Sequence, residues 1–234
     1  MKSVIAAAAV AVLAGLSPAH ATLQIASLVN GVAFNCADQD GCDSNGTPGI
    51  LQIGNQNFGG VELFGSLQTQ KIGPNKLNTS SFQLVNNSGA DATITVAVGG
   101  TNFVGPVSTF NASGSATFQD AVGSTIQLQY YADPANAQGA NTATDHPGSL
   151  LADSGVFTAT LAADAMSYQQ AGPFADPDLH SLTLFTTGVL TAGGTVVNRG
   201  QTLLTTPVPE PGSLALLGTA LLGLGLAWRQ RRPR

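Results

Sequence analysis

Charge is scarce in this sequence. Asp, Glu, Lys and Arg together make up 9% of its 234 residues, against roughly 25% in an ordinary soluble domain. Positive charge is scarcest in the middle, where residues 22–207 hold twelve carboxylates against Lys71, Lys76 and Arg199. That segment carries a formal charge near −9. Bulk electrostatics therefore exclude nucleic acid and an anionic membrane surface as its partners. Tryptophan is absent from the same stretch, since the one Trp is Trp228. Sugar faces commonly stack on large rings, so its absence weakens a carbohydrate-binding reading and leaves Tyr130, Tyr131, Tyr168 and Phe174 as substitutes or as core. Glu62 is the lone Glu of the middle, and the usual pair of glycosidase carboxylates is not singled out among the Asp residues. No Gly-x-Ser-x-Gly elbow, His-Glu-x-x-His pair or phosphate-cradling loop occurs. Neutral polar residues and 28 Gly fill the deficit, a composition suited to an extracytoplasmic β protein hydrated by hydroxyls and amides.

Apolar runs are confined to the two ends. Met1 and Lys2 precede an apolar stretch over residues 4–16, Pro18 breaks it, and Ala19-His20-Ala21 follows. Small residues at Ala19 and Ala21 are what signal peptidase reads in an extended chain, so cleavage is expected after Ala21, with Thr22 as the mature N-terminus. Thirteen apolar residues reach only about 20 Å as a helix, short of a bilayer core of about 30 Å.

At the other end, Pro207, Pro209 and Pro211 stiffen an extended segment, because each ring fixes φ and biases its predecessor away from helix. Ser213 to Trp228 is apolar and uncharged, and Arg229, Arg231, Arg232 and Arg234 close the chain. Arginines clustered after an apolar stretch stay on the cytoplasmic side, so an exported chain halts with its middle outside. Sixteen residues span about 24 Å as a helix, which makes a short transmembrane anchor. Ala215, Thr219, Gly223 and Ala227 recur every fourth residue and could let a second helix pack closely.

Val208-Pro209-Glu210-Pro211-Gly212, the apolar helix and the arginine cluster together resemble a PEP-CTERM sorting signal. The resemblance covers about the last 28 residues. It implies handling by an exosortase, a membrane-embedded, cysteine transpeptidase-like enzyme of Gram-negative bacteria, with Pro209, Glu210 and Pro211 as recognition residues. It further implies an inner-membrane-anchored precursor whose ectodomain is released or transferred to the cell surface or medium, in association with extracellular polysaccharide. A permanent stop-transfer anchor is the competing reading.

The chain thus divides into a signal peptide (1–21), an ectodomain (22–206) and a sorting tail (207–234) with its helix at 213–228. Period-two alternation marks strands in the ectodomain. Residues 92–98 put Ile94, Val96 and Val98 on one face; residues 125–130 do so with Ile126, Leu128 and Tyr130; residues 181–186 do so with Leu182 and Leu184. Weaker candidates are 23–34, 50–53, 61–70, 82–86, 102–110, 115–119, 155–161 and 194–198. Turn clusters at 86–89, 99–100 and 193–194 separate them. About ten short strands without a repeat or amphipathic helix predict an all-β, jelly-roll-like β-sandwich. Irregular stretches at 35–49 and 132–150 are long for plain connectors, and long ordered loops are either functional or flexible surface.

Cys36 and Cys42 are the only cysteines, and in an oxidising compartment they are expected to form a disulfide. The loop around them carries Asp38, Asp40, Asp43 and Asn45 at alternating spacing with glycines, a pattern able to offer oxygen ligands to calcium. It departs from an EF-hand in having Cys42 at the fifth position and no closing Glu, and ordinary turn chemistry accounts for the same residues. No other cofactor is implied. An enzyme would require His146 or His180 beside a buried Asp in a cleft, Asp145 and Asp178 being near in sequence. The expectation is a non-enzymatic exported surface or matrix protein. The alternatives are a secreted glycan- or calcium-binding module, or a hydrolase built from scattered Asp and His.

Overall fold

The computed structural model describes residues 22–70, 75–176 and 178–205. Ala19, Ala21, the Pro209-Glu210-Pro211 motif and the anchor expected at 213–228 lie outside the described residues. Within the described residues no helix is long and apolar enough to cross a membrane.

Among the described residues, thirteen strands form two antiparallel sheets. In chain order they are β1 (Leu23–Val29), β2 (Val32–Ala37), β3 (Ile50–Phe58), β4 (Val61–Gln70), β5 (Asn75–Asn86), β6 (Ala92–Phe103) and β7 (Val107–Gln119), then β8 (Thr125–Asp133), β9 (Ser149–Asp153), β10 (Phe157–Thr158), β11 (Ala163–Asp176), β12 (His180–Leu190) and β13 (Thr195–Thr205). One sheet runs β10-β8-β12-β6-β1-β2, with β9 also on β8, and the other runs β11-β7-β13-β5-β4-β3. From β5 onward the chain crosses back and forth between the sheets. β5, β13, β7 and β11 lie side by side in one sheet, and β6, β12, β8 and the β9–β10 strand lie in the other. That is the double Greek key of a jelly roll. The β1–β2 and β3–β4 hairpins widen each sheet on one side.

Alternation sets the inner faces. Ile94, Val96 and Val98, Ile126, Leu128 and Tyr130, and Leu182 and Leu184 all enter one buried cluster with Phe82, Phe103 and Phe118. Burying one such side chain contributes about 1.5–3 kcal/mol, so a slip of one residue in any of these strands would be strongly disfavoured.

Several boundaries differ from the sequence reading. The candidate at 23–34 is two strands turning at Asn30-Gly31, both with positive φ. The candidate at 102–110 spans the end of β6 and the start of β7. Gly99-Gly100 is not a separator but lies inside β6. β9 and the fourteen-residue β11 were not anticipated, and the strand near 155–161 shrinks to Phe157–Thr158. β11 hid because its inward residues are Met166, Tyr168 and Phe174 interleaved with Ala, Gly and Gln, a weak alternation for an edge strand.

Candidate functional site

A long loop covers part of the outer face of the β8-β12-β6-β1-β2 sheet. Residues 134–148 lie across it. Gly99 of β6 permits this approach, since a Cβ there would stand 2.3 Å from the Gly139 carbonyl oxygen. Ala140 is fully buried and packs with Ala26, Ala97, Tyr131 and Phe185 in a second apolar cluster on this outer side. Ala140 and Asn136 both take left-handed backbone, a conformation held here by tertiary contacts.

Side-chain hydrogen bonds pin the loop at each end. The Asp133 carboxylate accepts from the Ala135 and Ala137 amides at 3.0 Å each. Asn136 accepts from the Asn102 amide at 2.8 Å. The Asn141 amide group donates to Asp145 at 2.8 Å and to the Gln138 carbonyl at 2.6 Å. From β2, Asn35 donates to the Asn141 carbonyl at 2.8 Å. An open groove of 320 Å³ remains between this ridge and the β1–β2 hairpin, floored by Ala26 and Leu28 and walled by Asn35, Asn141 and Thr144.

Across the same face His146 lies against Tyr131 (ring centroids 4.4 Å apart) and edge-on to Phe185 (4.7 Å). Burial, and secondarily the charge of Asp153, raises the Tyr131 phenol pKa. Further along β8, the Asp153 carboxylate accepts from Gln127 at 2.8 and 2.9 Å, from Gln129 at 2.9 Å and from the Gly155 amide at 2.8 Å. Burial works to raise the Asp153 pKa, but these bonds together hold it below the ordinary carboxylate value. Tyr131 and Phe185 are buried beneath the loop with Ala140, so the open part of this face presents amides, hydroxyls and the partly exposed His146 ring.

The residues singled out in the sequence fall in three places. Cys36 and Cys42 are joined, with Cα atoms 5.9 Å apart, and Cys36 is buried. In and just after the loop they close, Asp38, Asp43 and Asn45 turn to backbone amides. Asp43 accepts from Gln39, Asn45 and Gln52 at 2.9–3.0 Å, Asp38 from Gly49 at 2.6 Å, and Asn45 from Thr47 at 2.9 Å. Against the raising effect of burial, those amides lower the Asp43 pKa. Asp40 is exposed. Among the described residues no three His, Cys, Asp or Glu side chains gather as metal ligands.

His146 does not meet Asp145, whose carboxylate is taken by Asn141. His180 does meet Asp176, at 3.9 Å, but both are buried and the imidazole is stacked on Phe103. Its Nδ1 lies 3.3 Å from the Asp178 carbonyl oxygen. Sequence reasoning missed Asn35, Gln127, Gln129, Asp153 and Phe185. Alternation with Ile126 and Leu128 could have placed Gln127 and Gln129 outward.

Residues 207–232 match the PEP-CTERM protein-sorting motif, and the match includes Pro209, Glu210 and Pro211. No curated protein matches the chain. Among solved structures, the chain is similar to TmCBM61 in complex with β-1,4-galactotriose, at 10% identity and a TM-score of 0.34, covering 58% of this chain and 85% of that one. It is also similar to the CBM22-1 xylan-binding domain of Paenibacillus barcinonensis Xyn10C, at 13% identity and a TM-score of 0.29, covering 69% and 89%. A third is the mannan-recognising carbohydrate-binding module TmCBM27, at 10% identity and a TM-score of 0.30, covering 67% and 88%. Likenesses of this size carry no argument about ligand or chemistry.

Proposed function

We propose that this chain is a non-enzymatic cell-surface or matrix protein, exported through its N-terminal signal, held briefly at the inner membrane and then sorted by an exosortase. The observation that carries the reading is the sorting motif at residues 207–232. A proline-stiffened strand cannot curl into the adjoining helix, so its backbone stays open to an enzyme at the membrane face. Once outside, the sandwich associates with extracellular polysaccharide through the groove between residues 141–144 and the β1–β2 hairpin. Its chemistry supports that reading: the side-chain oxygens of Asn35 and Asn141, whose N–H groups are taken within the protein, can accept from sugar hydroxyls, while Ala26 and Leu28 offer apolar floor.

Two measurements test this. Intact masses of the protein from membranes and from medium should show a membrane form running from Thr22 through Arg234 and a released form ending near Pro209. A single full-length species in both fractions would remove the exosortase step. Electrophoresis through gels containing neutral polysaccharide should retard the wild-type ectodomain, and Leu28→Lys, which fills the groove, should run unretarded. Equal retardation of both would place glycan contact elsewhere.

A further inference from the structure

The outer face of the β11-β7-β13-β5-β4-β3 sheet has a different chemistry. The described residues contain two bases, Lys76 and Arg199, and both project from this face. Inward positions on β13 are Val196, Asn198, Thr202 and Leu204, and on β5 Leu77, Phe82 and Leu84, so alternation turns Arg199 and Lys76 out. Of the twelve described carboxylates only Glu62 projects from a strand of the same face. Strand spacing puts Glu62 roughly 15 Å from Arg199, and it already accepts from Asn55 at 3.0 Å. Neither base has an ion pair or a hydrogen bond among the described residues, where the one ion pair is His180–Asp176.

Arg199 stands in a shallow depression of the sheet that is largely open to solvent. β5 carries one extra residue here: pairing with β4 jumps from Ser66↔Ser81 to Leu67↔Thr79, and pairing with β13 jumps from Asn198↔Phe82 to Gly200↔Thr79. Such a bulge bends a strand and re-aims its neighbours. The buried Thr79 hydroxyl repairs the ladder, accepting from the Gly200 amide at 2.6 Å. The open cleft that results is 390 Å³, lined by Asn78, Ser113, Ser115, Arg199 and Gln201. Lys76 lies on the same face roughly 14 Å from Arg199, by strand rise and spacing, with Asn78 and Gln201 between them.

We infer that this cleft is a second binding site, for the carboxylate of an acidic polysaccharide. Arg199 is the fork that takes the carboxylate in two parallel hydrogen bonds, and Lys76 is the point charge for a later unit of the same polymer. Asn78, Ser113, Ser115 and Gln201 supply donors and acceptors for the hydroxyls between. The rest of the domain carries excess negative charge and repels a polyanion, so binding is confined to this strip and weakens with salt. The inference rests on residues separate from the groove of the opposite sheet and stands whether or not that groove holds glycan.

Electrophoresis of the ectodomain through gels containing alginate tests it, beside a neutral glucan gel in which the Arg199 and Lys76 variants should run as the wild type does. The wild type should be retarded in alginate, and 0.5 M NaCl should abolish the effect. Arg199→Ala should weaken retardation about 10-fold, as expected for loss of a charge-assisted hydrogen bond, and Lys76→Ala by less. Arg199→Lys should fall between, because it keeps charge and loses the fork. Both residues are surface-facing, so an unchanged melting temperature accompanies each loss. An unretarded wild type, an Arg199→Ala variant that binds undiminished, or equal retardation by DNA would overturn the assignment.

Discussion

A single imidazole shows how far one residue's chemistry departs from its sequence context. His180 is fully buried against Phe103 and Phe174. Burial lowers its pKa below the ordinary 6.5, and the Asp178 carbonyl and the Asp176 carboxylate oppose this without cancelling it. The unfolded chain therefore takes up the proton first as pH falls. Stability from neutral His180 is complete above about 6.5 and is lost as pH drops through the lower folded-state value. The urea midpoint should fall between pH 7 and pH 5, and His180→Gln should flatten that fall; an equally steep fall in the variant would place the acid sensitivity elsewhere. Asp43 and Asp153 act in a second, lower window, since their folded pKa values lie below the ordinary carboxylate value. Their contribution is present above about pH 4 and disappears with further acid. Asp43→Ala leaves the Gln39, Asn45 and Gln52 amides without their acceptor and should destabilise by about 1–3 kcal/mol by chemical denaturation.

At the scale of elements, two attachments matter most. The Cys36–Cys42 bond closes a short ring where β2 leaves its sheet. A ring of this size contributes about 2 kcal/mol on the chain-entropy account, so reduction should lower the melting temperature without unfolding the sandwich at 25 °C. The loop at 134–148 is held to β6 by a glycine. Gly99→Ala would drive a methyl into the Gly139 carbonyl, lifting the loop at a cost of about 1–3 kcal/mol. Limited proteolysis should then cut within residues 134–148 while the core strands keep their hydrogen-exchange protection. Cleavage no faster than in the wild type would mean that the loop is anchored by its side-chain bonds alone.

For the whole molecule, the two outer faces differ in chemistry because alternation makes them independent of the shared core. One bears the loop, the rings of Tyr131, His146 and Phe185, and the Asp153 amide cluster. The other bears Lys76 and Arg199. A reporter fused ahead of Pro207 should be active only beyond the inner membrane, because the terminal arginines stay in the cytoplasm. Cytosolic activity of that fusion would contradict the export topology.

The sequence by itself determined the class of fold and the sorting motif. Period-two runs such as 92–98 and 125–130 commit a strand to one buried face through local geometry, and Pro209-Glu210-Pro211 with its apolar stretch and arginines is contiguous in the chain. Neither candidate binding face was legible in that way. Arg199, Ser113 and Asn78 come from three strands, and Gly99 meets Gly139 across forty residues of chain. Which strands become neighbours depends on pairing across the sheets, and the bulge at Thr79 that opens the cleft depends on the register of β4 and β13 against β5. Only the tertiary structure decides these, because long-range strand pairing is fixed by how all the inner faces pack together and not by any one segment.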